Sequence, residues 1–178
     1  MPRFSTFPLL TSACLAGVLL LTACSPKYDW REVHGSSTPF AVVLPAKPAS
    51  HTRNINLDGI QVNMTMTAAE VDGVTFAVGI TELPDAMQAQ KALDSMKTAL
   101  VRNIGGTIRQ EKSSTVNGVP TTEIEASGPA VPGAEQPRLM LARFIAQDRH
   151  AYQLVVVGQE NAVERDAADA FFTSFKLK

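Results

Sequence analysis

Between residues 60 and 80, apolar and polar positions alternate in two runs. Ile60, Val62, Met64, Met66 and Ala68 are interleaved with Gln61, Asn63, Thr65 and Thr67, and after Asp72-Gly73 the same period returns in Val74, Phe76, Val78 and Ile80. A period of two belongs to a strand with one face covered, and the Asp-Gly pair between the runs predicts an antiparallel hairpin. Upstream, Phe40–Leu44 is a short apolar strand stopped by Pro45 and Pro48, and residues 52–57 form another, ended by Asp58-Gly59. The period then lengthens. Ala89, Leu93, Met96, Leu100 and Ile104 share one face at helical spacing, while Gln90, Lys91, Asp94, Lys97 and Arg102 lie largely off it. This predicts a helix over 86–103, capped by Asp85 after Pro84 and ended by Gly105-Gly106, with Met96 a core residue and not a cofactor ligand.

Strands over 107–116 and 119–127 flank Asn117-Gly118, a strong hairpin signal. Residues 128–137 form a loop with three prolines, and strands over 139–147 and 151–158 flank Asp148-Arg149-His150. A last helix spans 162–174, with Asn161 and Glu164 at the spacing of a capping box and Val163, Ala167, Ala170, Phe171 and Phe175 toward the sheet. The expectation is a single α+β domain over residues 39–178, a mostly antiparallel β-sheet of six to eight strands with two packed helices, and no internal repeat.

The composition changes this picture little. The chain has 178 residues, 45% hydrophobic and 19% charged, an ordinary globular mixture long enough for one core. The formal charge is −1, no block of like charge stands out, and the basic stripe of a nucleic-acid binder is absent.

The N-terminus says more. Arg3 precedes an apolar run over 9–23, too short for a membrane span, which needs roughly 20 residues, and suited to a signal-peptide core. The run ends in Leu21-Thr22-Ala23-Cys24. These residues resemble the bacterial lipobox, with Leu three positions before the cysteine and a small residue just before it. The resemblance implies a lipoprotein signal peptide over 1–23, cleavage before Cys24, and diacylglycerol and fatty acyl chains such as palmitate on Cys24. Acyl chains of roughly 15 carbons, at ~0.8 kcal/mol per buried methylene, make such an anchor permanent. Ordinary signal-peptidase cleavage after Ala23 is the rival reading; Cys14, preceded by Thr11-Ser12-Ala13, lacks the leucine. Ser25 follows the cysteine where an Asp would mark inner-membrane retention, which favours the outer membrane, with the domain in the periplasm. Cleavage removes Cys14, so the mature chain has no second thiol with which to form an internal disulfide.

Residues 24–38 read as the lipidated cysteine and a polar tether. It carries Tyr28 and the single Trp30, six residues from Cys24 and so at most ~22 Å away when extended. These rings either rest in the headgroup region or pack onto the domain and close one edge of it.

The order strands, helix, strands, helix resembles the Mog1/PsbP-like group, which includes small envelope lipoproteins. The residues that carry this are Phe40–Leu44 with Pro45, the helix end Asn103-Ile104-Gly105-Gly106, Arg143-Phe144, Tyr152-Gln153-Leu154-Val155-Val156 and Phe171-Phe172-Thr173-Ser174-Phe175. The likeness covers residues 38–178 and implies a fold, with no shared catalytic motif to carry over. The tether YDWREV also looks like that of uncharacterised proteobacterial lipoproteins.

Familiar chemistry is hard to find in the sequence. His34, His51 and His150 are scattered with no metal-ligand spacing, and no metal or other cofactor is implied. There is no GxSxG, and Gly105-Gly106 follows a helix and lacks the lysine of a phosphate loop. Glu123 and Glu125 lie two apart on one strand face, a spacing that serves acid–base catalysis in some sites and is more often simply solvated. Arg143 interrupts an apolar stretch; it pairs with an acidic neighbour or binds an anion or a partner carboxylate. These readings point to a membrane-anchored, non-catalytic interaction or scaffolding module for an unidentified envelope protein. The alternative is a small-ligand or lipid carrier with a cleft between sheet and helix, which an apolar cavity of several hundred Å³ would favour. An enzyme ranks third.

Overall fold

The computed structural model describes residues 26–35 and 40–178. The lipobox residues Leu21, Thr22, Ala23 and Cys24, and the signal peptide before them, lie outside the described residues.

The chain folds as an α+β domain in which every described strand pair is antiparallel. The strands are β1 (Arg31–His34), β2 (Phe40–Leu44), β3 (Ala49–Leu57), β4 (Ile60–Val71), β5 (Val74–Glu82), β6 (Thr107–Val116), β7 (Val119–Gly128), β8 (Arg138–Gln147), β9 (His150–Gln159) and β10 (Lys176–Leu177). The helices are α1 (Ala86–Asn103), between β5 and β6, and α2 (Arg165–Ser174), between β9 and β10. The main sheet runs β3-β4-β5-β9-β8-β7-β6, and β1, β2 and β10 form a second, small sheet. These ten described strands exceed the six to eight expected because β1 and β10 pair only with β2, a partnership with no local signal.

Two cores lie on opposite faces of the main sheet. On one, α2 and the small sheet bury Phe40, Val42, Leu44, Phe76, Tyr152, Leu154, Phe171 and Phe175. On the other, α1 buries Leu93, Met96 and Ala89 against Ile124, Met140, Phe144 and Val155. The central strand β9 feeds alternate residues to the two cores, so its near-continuous apolar run Leu154-Val155-Val156 is a strand covered on both sides. β4 changes sides along its length: Val62 and Met64 pack on the α1 side, while Thr67 and Ala69 are buried on the other.

The turns follow the sequence closely. Asp58-Gly59, Asp72-Gly73 and Asn117-Gly118 have positive φ at both positions, as two-residue hairpins with the sheet's twist require. At the end of α1 the Gly105 N–H donates to the Arg102 carbonyl and the Gly106 N–H to that of Val101, with Gly105 left-handed at φ 59°, a Schellman termination. The Asp85 carboxylate caps the start, accepting from the Gln88 N–H at 2.8 Å.

Three local expectations need correction. α2 begins at Arg165, and its first turn has no side-chain cap. The Glu164 carboxylate, expected to complete a capping box with Asn161, is instead taken by the Lys27 ammonium at 2.5 Å. Within α2, Ala170 is exposed, and Ala168 and Phe172 are buried with Ala167 and Phe171. Leu100 of α1 is only half-buried.

The segment before β2 is held to the domain over much of its length. Lys27 also reaches Asp72 at 3.2 Å, the Asp29 N–H donates to the Pro45 carbonyl at 2.9 Å, and β1 pairs with β2 from Arg31↔Leu44 to His34↔Ala41. Tyr28 packs against the α2-side core, and Trp30, 37% exposed, lies edge-on to Phe76 with ring centroids 6.4 Å apart. Residues 27–34 of the expected tether are thus a docked strap.

Candidate functional site

Two places on the domain concentrate groups that could bind or react. The first joins the residues singled out from the sequence. Glu123 and Glu125 face the α2 side of β7, and the β7–β8 register places Glu123 opposite Arg143. With Lys112, Arg165, Asp169 and Phe172 they line a cleft of about 160 Å³. Arg143 Nε lies 3.3 Å from Glu123 Oε1 but makes no well-directed hydrogen bond, and its guanidinium sits over the Phe172 ring at 4.8 Å. Glu123 also accepts from the Ser114 hydroxyl at 2.5 Å and meets Lys112 at 3.2 Å. Burial alone would raise its carboxyl, but the Ser114 hydroxyl, Lys112 and Arg143 together hold it below the ordinary carboxylate value. Glu125 is taken by Arg165 at 2.8 Å, and Arg109 bridges it, at 3.9 Å, to Glu160 at 2.5 Å. Each carboxylate has cationic partners. Glu123, held charged in this way, is poorly matched to proton transfer near neutral pH, which needs a group poised close to the operating value. Of the two roles expected for Arg143, the geometry realises the pairing with an acidic neighbour.

The second place was not visible as a site in the sequence. β3 is amphipathic: Ser50, Thr52 and Asn54 bond across to Thr67, Thr65 and Asn63 on one face of the β3–β4 hairpin. The intervening His51, Arg53, Ile55 and Leu57 therefore point to the α1 side. Opposite them α1 offers Met96, Ala99, Leu100, Arg102 and Asn103 at helical spacing. Between the two runs an open, mostly apolar groove of about 540 Å³, lined also by Met64, Met66 and Gln153.

Its floor is set by register. Met66, Gly79 and Gln153 stand side by side on β4, β5 and β9, and the Gln153 amide donates to Met66 Sδ at 3.3 Å. A Cβ on Gly79 would lie 2.4 Å from that sulfur, so the thioether occupies space that only glycine leaves open. The volume is within the ordinary range for small-molecule sites. The sequence held one relevant signal, the three methionines Met64, Met66 and Met96, but a methionine on a buried stripe reads as packing. Only the packing of α1 over the β3–β4 face brings them to one trough.

The three histidines lie on β1, β3 and β9, and among the described residues no group of three or more His, Cys, Asp or Glu is placed to hold a metal. His51 is at the groove's rim.

No protein-family model and no curated protein matches the chain. Among solved structures it is similar to a protein of unknown function from Pseudomonas aeruginosa, at 9% identity and a TM-score of 0.36, over 62% of this chain and 85% of that one.

Proposed function

We propose that this chain is an envelope lipoprotein, anchored through lipid on Cys24 in the outer membrane, whose periplasmic domain of Mog1/PsbP-like type binds a small apolar ligand. The observation that carries the ligand reading is the 540 Å³ apolar groove between α1 and the β3–β4 hairpin. A filled sheet–helix interface would have favoured the scaffolding module; an open trough with an apolar floor favours the carrier. The order of strands and helices supports the fold type, and the Leu21–Cys24 motif supports the anchor. The strap from Lys27 onward adds a mechanical consequence. With Lys27 docked, only Ser25 and Pro26 lie between it and Cys24, a reach of at most ~11 Å. The domain then rides close to the bilayer, where an apolar ligand partitions.

The interaction module remains as a second reading, favoured by β6. This ten-residue strand ends the main sheet with one side unpaired, a template for strand addition. Its exposed Arg109, Glu111 and Lys112 are charges of the kind that keep an edge from pairing indiscriminately.

Two experiments test the reading separately. In cells, Cys24→Ala should leave the precursor uncut and without acyl label; normal processing and membrane retention of that variant would remove the lipoprotein reading. Mass spectrometry of the protein isolated from envelopes should find a co-purifying small molecule that Ala99→Phe, which fills the groove from α1, has lost. Identical spectra for the two forms would remove the carrier reading.

A further inference from the structure

We propose that the groove takes a single-chain amphiphile with an anionic head, its chain along Met64, Met66, Met96 and Leu100 and its head on Arg53 and Arg102. The proposal rests on the ligand-binding reading and adds the ligand's chemistry.

The argument begins with where the arginines spend their charge. Of the eight within the described residues, six are engaged. Arg31 bonds Asp29, Arg109 bonds Glu160, Arg143 pairs with Glu123, Arg149 with Glu82 and Arg165 with Glu125, and Arg138 donates to the Ile104 carbonyl. Arg53 and Arg102 make no ion pair or side-chain hydrogen bond with any described residue, and both line the groove. No Asp or Glu is among the groove's lining residues. Asp58 and Asp94 line a second hollow that also includes Arg102, yet neither comes within ion-pair distance of it. In a domain whose other guanidinium groups have all found oxygen, two unpaired ones beside an apolar trough form an electrostatic complement to an anion.

The geometry of each part fits the same ligand. A guanidinium binds a carboxylate or phosphate through two parallel N–H donors, stronger and more directional than contact with a neutral head. Both side chains are exposed, so they stay hydrated when the groove is empty and need no buried partner. Thioether side chains are unbranched and polarisable, and they repack around a flexible chain more easily than branched residues do. Gly79 lets the Met66 thioether lie flat on the sheet as the groove's floor. A neutral lipid would leave the two guanidinium groups unused, and a cationic amphiphile would be repelled by them.

The test uses the full-length protein in its own membrane. Four photoreactive dodecyl probes are compared: a carboxylate, a phosphate, an alcohol and a trimethylammonium. After illumination, crosslinked peptides are mapped by mass spectrometry. Anionic probes should label peptides spanning 51–57, 64–66 and 96–103 at least tenfold more than the ammonium probe. The stronger of the two anionic probes identifies the head as carboxylate or phosphate. Arg53→Gln with Arg102→Gln should cut anionic labelling about tenfold and leave the alcohol's labelling unchanged. Ala99→Phe should reduce labelling by every probe. If all four probes label the groove equally and the double arginine variant changes nothing, the head assignment is overturned while the groove remains a ligand site. If no probe labels these peptides above the rest of the domain, the ligand reading falls with it.

Discussion

Gly79→Ala is a one-carbon change that probes both the core and the groove. Gly79 lies on β5 in the middle of the main sheet, with Met66 on one side and Gln153 on the other. An added Cβ would sit 2.4 Å from Met66 Sδ and 2.8 Å from Gln153 Cγ, both far inside ordinary contact. The sulfur is the mobile end of a flexible chain and can swing out into the groove. Gln153 Cγ is near its own backbone on β9, and it can yield only by shifting the side chain or strand. Overpacking of this kind costs typically 1–3 kcal/mol. Replacing a strand glycine returns roughly 0.5–1 kcal/mol of backbone entropy. The net expectation is a loss of about 1–2 kcal/mol. In a urea titration with a slope of about 2 kcal/mol/M, the midpoint falls by roughly 0.5–1 M at unchanged slope. Met66→Ala in the same chain removes the nearer contact, so the double variant should lose less stability than the sum of the two single changes. The displaced thioether should also narrow the groove and weaken apolar probe labelling. A Gly79→Ala protein as stable as the parent, or strictly additive with Met66→Ala, would refute this account of the groove floor.

Three further outcomes are expected. Phe171, fully buried edge-on against Phe76 at 5.8 Å, should cost about 3–5 kcal/mol on truncation to alanine, whereas Ala170→Ser on the exposed side should be near neutral by thermal unfolding. Burial, with a smaller contribution from Asp148, pushes the Tyr152 hydroxyl up to about 12. The native state then keeps a proton that the unfolded chain gives up near pH 10, so stability should fall as pH rises from about 10 to 12, by on the order of 2 kcal/mol, and Tyr152→Phe should remove that part of the slope in alkaline denaturation. Glu123 has the opposite sign: its lowered carboxyl stabilises the fold above the ordinary carboxylate range, and that contribution disappears as pH falls through its native value. Glu123→Gln should therefore cost about 1–2 kcal/mol at neutral pH and progressively less in acid.

Much of the architecture is local and was therefore written in neighbouring residues. The bounds of α1, its Asp85 cap and its Gly105-Gly106 end depend on side chains within one turn of the helix. The Asp-Gly and Asn-Gly hairpins depend on two residues that tolerate positive φ. Period-two alternation marked an apolar face on β4 and on β5, because a strand's side chains alternate whatever it packs against. It did not show that Val62 and Met64 face the α1 core while Val74, Phe76 and Val78 face the α2 core, nor that β5 is covered on both sides. Those signals sufficed for an α+β domain with an antiparallel sheet and two helices. They were not enough for α2, where a lysine 137 positions away in sequence took the glutamate that would have capped it.

What the tertiary structure alone decided is everything that depends on which strands lie side by side. Glu123 reads as a catalytic candidate in isolation; the registers of β6 and β8 turn it into the centre of an ion-pair lattice. Residues 27–34 are polar and read as a tether, and only the free edge of β2 makes part of them a strand. The groove is the clearest case. Arg53, Met66, Arg102 and Gln153 come from β3, β4, α1 and β9, and none has a sequence neighbour that marks it. Nothing local distinguishes an arginine that will find a carboxylate from one that will not. That difference is set by long-range packing, which gave partners to six of the guanidinium groups among the described residues and left two beside a trough with a methionine floor.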